Sequence, residues 1–285
     1  MAGEVTDVHT IGLDAYRQTS AAMSRGHLHP EVEFNLLLAG TAWYEIGART
    51  IELRADGLTV FWGGCPHLMH TEGPVELIWA TVPLGALTGQ PATQSAVSAL
   101  LAGGVLHGSP REAAHDRLLM SRWVGELSGG PRARHQVCLL EMLARLARLS
   151  ATGCMDVRPR TVYSPAAERM LTVVARSYTE PLSVAEIAER ADTHPTYAAQ
   201  VFKDAFGMSV WHYVTELRVA HARTLLAGTS WGIDRIAHAS GFQTRSSFYR
   251  AFRSGTGSTP TAYRRTRGQD VLHTPGTPST PACDR

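Results

Sequence analysis

The chain has 285 residues, of which 44% are hydrophobic and 18% are charged. This composition supplies enough apolar material for packed cores, excludes a wholly disordered chain, and at this length favours two domains. No segment reaches the roughly 18 uninterrupted apolar residues of a membrane helix. The polar, acidic N-terminus lacks the features of an export signal, so we expect a cytoplasmic protein without membrane contact.

The net charge of +2 is distributed unevenly along the chain. Residues 160–267 contain 14 Lys and Arg against 8 Asp and Glu, whereas the preceding residues are mildly acidic. A basic C-terminal part is compatible with a polyanionic partner. The four cysteines are scattered and form no CxxC pair, which favours reduced thiols over disulfides or a zinc site.

Short apolar runs separated by glycine-containing turns fill residues 30–85. The runs are EFNLLLAG, AWYEIG, RTIEL, LTVFWGG and VELIWATV. Short strands at regular spacing are typical of small antiparallel barrels and sandwiches. We therefore predict an antiparallel β-barrel over about residues 20–90.

A cluster of histidines lies near the start of this predicted barrel. His27, His29, Glu33 and Gly40 match the first motif of the cupins, HxHx3Ex6G, and His67 matches the histidine of the second. The resemblance implies a cupin-like barrel with these three histidines and Glu33 at its mouth. Such a set could hold divalent Fe, Mn, Ni or Zn, as in a metal-dependent sensor or enzyme. Alternatively, the same groups hydrogen-bond an effector or each other.

The hydrophobic spacing becomes helical from about residue 95. Residues 111–127 and 134–149 carry apolar side chains every three or four positions, which predicts two helices joined by a tight turn. The predicted N-terminal domain thus covers residues 1–150, with helices over about 95–149. We interpret the second of these helices as a dimer contact; packing onto the barrel is the alternative.

Two segments have no periodic pattern. Residues 151–164 are interpreted as a linker between domains. Residues 268–285 are rich in Thr, Pro and Gly and are predicted to be a disordered tail. The C-terminal domain is therefore predicted to cover residues 165–267.

An internal repeat of about 50 residues occupies this C-terminal domain. Phe202, Gly207 and Tyr213 recur at an offset of 50, and Ile187-Ala188 recurs at an offset of 49 as Ile236-Ala237. A repeat of this kind indicates a duplicated helical module.

Each copy has the sequence pattern of a helix-turn-helix, with a short helix, a turn and a second helix. In the first, Ser183 and Glu186 can form a capping box for a helix over 184–191, and Pro195 begins the next helix, 195–206. In the second, helix 233–240 is followed by a turn at Gly241. The candidate recognition helix of that copy covers 244–253.

An amphipathic helix over 211–227 joins the two copies. A rigid connector of this kind would fix the spacing of the recognition helices near one DNA turn, about 34 Å. The alternative is a plain helical bundle, but the duplicated turn-plus-helix pattern favours an all-α tandem helix-turn-helix domain.

The segment LRVAHARTLLAGTSWGIDRIAHASGFQTRSSFYRAFRSGTGSTPTAYRR resembles the AraC/XylS family of regulators. DTHPTYAAQVFKDAF and HLHPEVEFNLLLAGTAWYEIG further resemble the melibiose-regulator branch. One departure is Asp192, where the first turn of the family usually has glycine. Aspartate tolerates left-handed backbone better than most residues, so we expect the turn to be kept.

The resemblance implies contacts to double-stranded DNA from both copies. The implied residues are Thr196, Tyr197, Gln200 and Lys203 in the first copy, and Gln243, Thr244, Arg245, Ser246 and Arg250 in the second. Gln can pair with adenine and Arg with guanine through two hydrogen bonds each. Lys203 is expected to contact phosphate, which positions the protein without reading the sequence.

The resemblance also implies an effector bound in the barrel, for which we expect a sugar or glycoside. His27, His29, Glu33 and His67 would bind it, and Trp43 and Trp62 (with Trp79) could stack on sugar rings. The alternative role of each tryptophan is core packing. The predicted fold class is therefore α+β. The predicted function is a non-enzymatic, sugar-responsive transcription regulator that forms a homodimer and contacts RNA polymerase.

Overall fold

The computed structural model describes residues 12–20, 22–23, 26–46, 49–55, 57–88, 90–128, 132–152, 155–156 and 164–267. Its strands are β1 Asp14–Ser20, β2 Glu31–Ala39, β3 Ala42–Ile46, β4 Arg49–Leu53, β5 Thr59–Trp62, β6 His67–Thr71, β7 Val75–Pro83, β8 Val105–His107 and β9 Met155–Asp156. Its α-helices are α1 Leu84–Thr88, α2 Gln94–Leu101, α3 Ala113–Leu127, α4 Arg132–Ala151, α5 Pro165–Ser177, α6 Val184–Arg190, α7 Pro195–Phe206, α8 Val210–Gly228, α9 Ile233–Ala239, α10 Arg245–Thr256 and α11 Pro260–Arg267. Within these ranges, no helix combines the length and hydropathy that a bilayer crossing requires.

The strands form two antiparallel sheets. One has the order β1-β7-β2-β5-β8-β9 and the other the order β4-β3-β6. A backbone bridge between His27 and His67 links the segment before β2 to β6. The inner faces of the sheets meet where Tyr44 of β3 packs against Phe61 of β5, with ring centroids 4.9 Å apart. The N-terminal part is therefore the barrel-like antiparallel structure that the turn spacing predicts.

The outer face of β2 is buried as well, because α3 packs across it. Phe34 of β2 meets Trp123 of α3 edge to face, with ring centroids 5.9 Å apart. Both side chains are essentially unexposed. Burying aromatic side chains of this size stabilises a fold by about 1.5–3 kcal/mol each, so this contact fixes β2 between the helical layer and the barrel interior.

Several predicted boundaries at the barrel are wrong. The sheet begins at Asp14 rather than near residue 20, because β1 is an edge strand of mostly polar residues without a continuous apolar run. β6, with the sequence HLMHT, also lacks a continuous apolar run. Residues 105–107, within the region predicted to be helical, form the strand β8 next to β5, and residues 155–156, within the predicted linker, pair with β8 as β9. Residues 153–154 and 157–163 of the predicted linker and the tail at 268–285 lie outside the described residues, whereas Ala151 belongs to α4.

The first helix-turn-helix consists of α6 and α7. Ser183 and Glu186 form the predicted capping box, and Pro195 occupies the start of α7. Asp192 in the turn has a φ of 49°, the only positive φ of a non-glycine residue in the described ranges. The expectation that aspartate would keep a left-handed turn here is thus confirmed.

The second helix-turn-helix consists of α9 and α10, and three boundaries differ from the prediction. Helix α9 ends at Ala239 rather than at residue 240, and α10 covers Arg245–Thr256 rather than 244–253. Thr244 precedes α10 as its N-cap rather than forming its first helical residue, because its hydroxyl accepts a hydrogen bond from the amide of Ser247. Gly241 in the turn has a φ of 89°. A β-carbon there would also collide with Arg218, so glycine is required for two reasons.

Helix α8 belongs to both helix-turn-helix units. Tyr213 and Leu217 in its first half join the core of the barrel and the first unit. Leu225 and Leu226 in its second half join the core of the second unit. Arg218 at its centre is buried and donates hydrogen bonds to the carbonyls of Tyr178 and Glu180. The connector is thus packed into both units, and the expected tandem all-α arrangement is confirmed.

Candidate functional sites

The histidine cluster is built on the alternation of a β-strand. His29, Glu31, Glu33 and Asn35 are two residues apart and share one face, since successive side chains of a strand point to opposite sides. His67 reaches the same place from β6. One ligand atom from each of His27, His29, Glu33 and His67 lies within 4.8 Å of the others. The structure therefore brings together the four residues that the sequence pattern singles out.

Direct contacts hold the cluster together. Nε2 of His29 lies 2.6 Å from Oε1 of Glu33, and Nδ1 of His29 lies 3.1 Å from Oε2 of Glu31. Nδ1 of His67 lies 2.8 Å from the carbonyl oxygen of Cys65, so it must be the protonated nitrogen. Nε2 of His67 and Nδ1 of His27 are buried without a hydrogen-bond partner among the described residues.

The electrostatics of the cluster follow from burial and from these pairs. Burial opposes charge on His29, but hydrogen bonds to Glu31 and Glu33 outweigh it and raise its pKa to about 9. Burial and the neighbouring His67 and His29 lower the pKa of His27 to about 2. Burial alone would raise the pKa of Glu33, yet contacts with His29 and His67 hold that pKa well below its usual range. The cluster thus contains a charged His29–Glu33 pair beside a neutral His27.

Two polar residues that the motif does not include extend the cluster inward. Nδ2 of Asn35 donates to Oε2 of Glu33 at 3.2 Å, and the hydroxyl of Tyr44 donates to Oδ1 of Asn35 at 3.3 Å. Asn35 could have been found from the sequence, because it continues the alternation of polar residues along β2. Tyr44 could not, since its place depends on how β3 packs against β2.

The Gly63–Gly64 turn after β5 forms one wall of the cluster. The amide of His29 donates to the carbonyl of Gly63 at 2.9 Å. A methyl group at Gly63 would overlap the ring of His29, and one at Gly64 would overlap the ring of Trp62. Both rings therefore lie directly on glycine backbone, which explains the glycine pair.

The tryptophans expected to stack on a sugar lie elsewhere. Trp62 is 1% exposed and its indole N–H donates to the carbonyl of Pro30, so no ring face is open. Trp43 lies on the opposite face of β3 from Tyr44 and stacks on His70. Trp79 is buried against Tyr16. The prediction of stacking by Trp43 and Trp62 at the cluster is therefore wrong, since strand alternation and core packing place them away from it.

The cluster is connected to α8. The hydroxyl of Thr224 donates to Oε1 of Glu31 at 3.2 Å, while the other oxygen of Glu31 contacts His29. The hydroxyl of Tyr213 donates to the carbonyl of Gly64. Thus α8 contacts both the residue behind His29 and the turn that supports its ring. Sequence reasoning missed this interface, because the partners are more than 140 residues apart.

The predicted DNA-reading residues of the first unit lie together on the outer face of α7. Thr196, Tyr197, Gln200 and Lys203 are all exposed, whereas Ala198 and Phe202 face the core. Nε2 of Gln200 donates to Oδ1 of Asp204 at 2.7 Å. Asp204 thereby orients the amide of Gln200, a role that the sequence pattern does not reveal.

The predicted residues of the second unit are likewise exposed at the start and along the outer face of α10. They are Gln243, Thr244, Arg245, Ser246 and Arg250. The guanidinium of Arg245 lies 3.5 Å from Asp234 and over the ring of Tyr249. The hydroxyl of Thr244 is already engaged in capping α10. Arg250 has no such partner among the contacts described, so it is the freer of the two arginines.

Known protein families match both parts of the chain. The AraC-like ligand binding domain matches residues 10–121, and a helix-turn-helix domain matches residues 168–266. The melibiose operon regulatory protein of Escherichia coli K12 is 25% identical over 272 residues, which cover 89% of this chain and 88% of that protein. The chain belongs to the AraC-type transcription regulators.

Other comparisons agree with this assignment. The HTH-type transcriptional regulator YobQ of Bacillus subtilis is 23% identical to this regulator over 89% of this chain and 94% of its own. ToxT of Vibrio cholerae O395, solved with a naphthalenyl-butenoic acid, is 12% identical and has a TM-score of 0.51 over 89% and 97% of the two chains. At that identity the likeness to ToxT concerns the fold alone.

Proposed function

We propose that this regulator recognises one DNA site through α7 and α10, and that a sugar or glycoside bound in the barrel controls the recognition. The observation that carries the proposal is the double contact between the barrel and α8, through Glu31–Thr224 and Gly64–Tyr213. Because α8 is packed into both helix-turn-helix units, a change at the cluster has a direct route to both recognition helices.

The exposed faces of the two recognition helices support sequence-specific reading. Gln200 suits adenine and Arg250 suits guanine, since each can make two hydrogen bonds to the major-groove edge of its base. Arg245, Gln243, Thr244, Ser246, Thr196 and Tyr197 complete the reading surface, and Lys203 contacts phosphate. The second face carries two arginines and the first carries none, so we expect unequal half-sites.

The chemistry of the barrel interior supports a hydroxyl-rich effector. Glu33, Asn35 and Tyr44 form a buried chain of donors and acceptors next to the histidines. The relative from Escherichia coli is named for the melibiose operon, and melibiose is a sugar. Without an open tryptophan face at the cluster, recognition would depend on hydrogen bonds. The relatives are transcriptional regulators, and we assign the cluster a binding role rather than catalysis.

The helices after the barrel offer a surface for a homodimer. Met142, Leu146 and Cys138 of α4 are buried against the protein, but Val137 and Leu140 on the same helix are 49% and 64% exposed. Exposed apolar side chains on neighbouring turns are typical of contact surfaces. We propose that a second copy covers them. As a DNA-bound regulator in the cytoplasm, the dimer would contact RNA polymerase.

Thermal unfolding with a panel of mono- and disaccharides tests the effector proposal. A sugar that binds the folded barrel raises the melting temperature, and the rise grows with the logarithm of the sugar concentration once that concentration exceeds the dissociation constant. The same sugar should change the affinity for a DNA site selected from a random pool, measured by fluorescence anisotropy. If no sugar changes the melting temperature, the sugar is the wrong effector class, while the DNA-binding proposal is judged by anisotropy alone.

A further inference from the structure

We propose that the histidine cluster is a binding site for one divalent transition-metal ion, with His27, His29, Glu33 and His67 as ligands. Three imidazoles and one carboxylate suit Zn, Ni, Fe or Co, whereas Ca and Mg prefer all-oxygen sites. The four ligand atoms lie within 4.8 Å of one another. In a tetrahedral site with metal–ligand bonds of about 2.1 Å, the ligand atoms are about 3.4 Å apart, so side-chain rotations that move these atoms by roughly an ångström close the site.

The unpartnered nitrogen atoms support this assignment. Nδ1 of His67 donates to the carbonyl of Cys65, which leaves the lone pair on Nε2 directed toward the cluster. That Nε2 is buried, has no hydrogen-bond partner among the described residues, and lies 3.6 Å from Oε1 of Glu33. Nδ1 of His27 is buried and unpartnered as well. Buried polar atoms in proteins are usually paired, so two unpaired imidazole nitrogens within one cluster support a role as ligands of a cation.

The residues around the ligands resemble the outer shell of metal sites. A metal-bound histidine usually donates its second ring nitrogen to a carboxylate or a backbone carbonyl, which fixes its orientation. His67 has the carbonyl of Cys65 in that position, and His29 has the carboxylate of Glu31. Asn35 fixes the outer oxygen of Glu33. Three of the four ligands are therefore already oriented.

The site goes beyond the proposed sugar response and does not depend on it. A bound ion with an open coordination position would accept a hydroxyl oxygen of an effector, but ion binding itself needs only the four side chains. Failure to find a sugar would leave the metal proposal intact, and failure to bind metal would leave the DNA-binding proposal intact.

Cobalt binding to the full-length protein tests the assignment. After treatment with a chelator, the protein is dialysed against Co²⁺, and bound cobalt is measured by elemental analysis and by its visible absorption. We expect one Co²⁺ per chain with a nitrogen-ligand spectrum and a raised melting temperature. His67→Gln and His27→Gln should lose the spectrum. Glu33→Gln, which keeps the shape of the side chain, should weaken binding at least ~10-fold.

His70→Gln is the matched control, because His70 lies on β6 but faces away from the cluster toward Trp43. It should bind cobalt as the wild type does. Gly63→Ala is a second test, which removes no ligand. Its methyl group would displace the ring of His29, so this variant should bind cobalt more weakly than the wild type. The proposal is overturned if the wild type takes up no cobalt. It is also overturned if His67→Gln and Glu33→Gln bind it as tightly as His70→Gln.

Discussion

Arg250 is the residue on which sequence discrimination by the second unit should depend most. It is exposed on α10, and no described contact holds it elsewhere. Arg250→Ala should cost about 1–3 kcal/mol on the best site and relax the preference for guanine at one position. Anisotropy with a set of sites mutated one base pair at a time measures this.

Arg253, one turn further along α10, serves as the comparison. Arg253→Ala should weaken binding to all sites about equally. It should also reduce the slope of log affinity against log salt concentration by about 1, the value for one phosphate contact. Uniform weakening by Arg250→Ala as well would show that Arg250 contacts phosphate rather than a base.

Asp192 should be sensitive to the shape of its replacement. Its φ of 49° is unfavourable for β-branched residues and free for glycine. Asp192→Val should lower the free energy of unfolding by about 1–2 kcal/mol, and Asp192→Gly should lower it little or not at all. Urea denaturation measures both. Glu189→Val, in the last turn of α6 with ordinary helical backbone, should cost less than Asp192→Val, and equal losses would remove the backbone explanation.

At the scale of residues, the sequence predicts the four side chains of the histidine cluster better than it predicts the residues that contact them. His27, His29, Glu33 and His67 follow from spacing, because strand alternation converts a two-residue spacing into a shared face. Tyr44, Thr224 and the Gly63 wall depend on strand packing and on a contact between distant segments. The expected stacking of Trp43 and Trp62 at the cluster is wrong for the same reason, since spacing alone does not show which face of a strand is turned toward the cluster.

At the scale of elements, the contact between β2 and α8 is expected to contribute to the stability of the fold. Thr224→Val removes the donor to Oε1 of buried Glu31 and should lower the free energy of unfolding by about 1–3 kcal/mol. Thr215→Val is the matched control. It lies on the same helix and loses the same kind of bond to the carbonyl four residues back, but its described hydrogen bond stays within α8.

Denaturant unfolding of both variants measures the difference. A loss for Thr224→Val no greater than that for Thr215→Val would mean that the contact with the barrel contributes nothing. The proposed route from the cluster to α8 would then rest on Tyr213 alone.

The elements themselves were predictable where local chemistry is strong. The capping box at Ser183, the proline that starts α7 and the duplicated pattern place the ends of the C-terminal helices to within three residues. The strands β1, β6, β8 and β9 escape prediction, because very short strands and edge strands with polar side chains depend on backbone pairing rather than on apolar runs.

At the scale of the whole molecule, the exposed apolar side chains of α4 are the proposed contact surface of the homodimer. Replacing Val137 and Leu140 together by Glu should convert a dimer into a monomer in sedimentation velocity without loss of folding, since both side chains are exposed. Gln136→Glu, an exposed residue one turn before Leu140, is the control that adds charge without removing apolar surface. If the double variant sediments as the wild type does, the dimer forms through another surface.

Footprinting on a DNA site selected from a random pool tests the central claim most directly. Two recognition helices joined by the packed helix α8 should protect two blocks per chain about one helical turn, ~10 base pairs, apart on one face of the DNA. The selected site should be bound at least ~10³-fold more tightly than random DNA. One protected block, or protection without sequence preference, would contradict the account of a tandem reader controlled from the barrel.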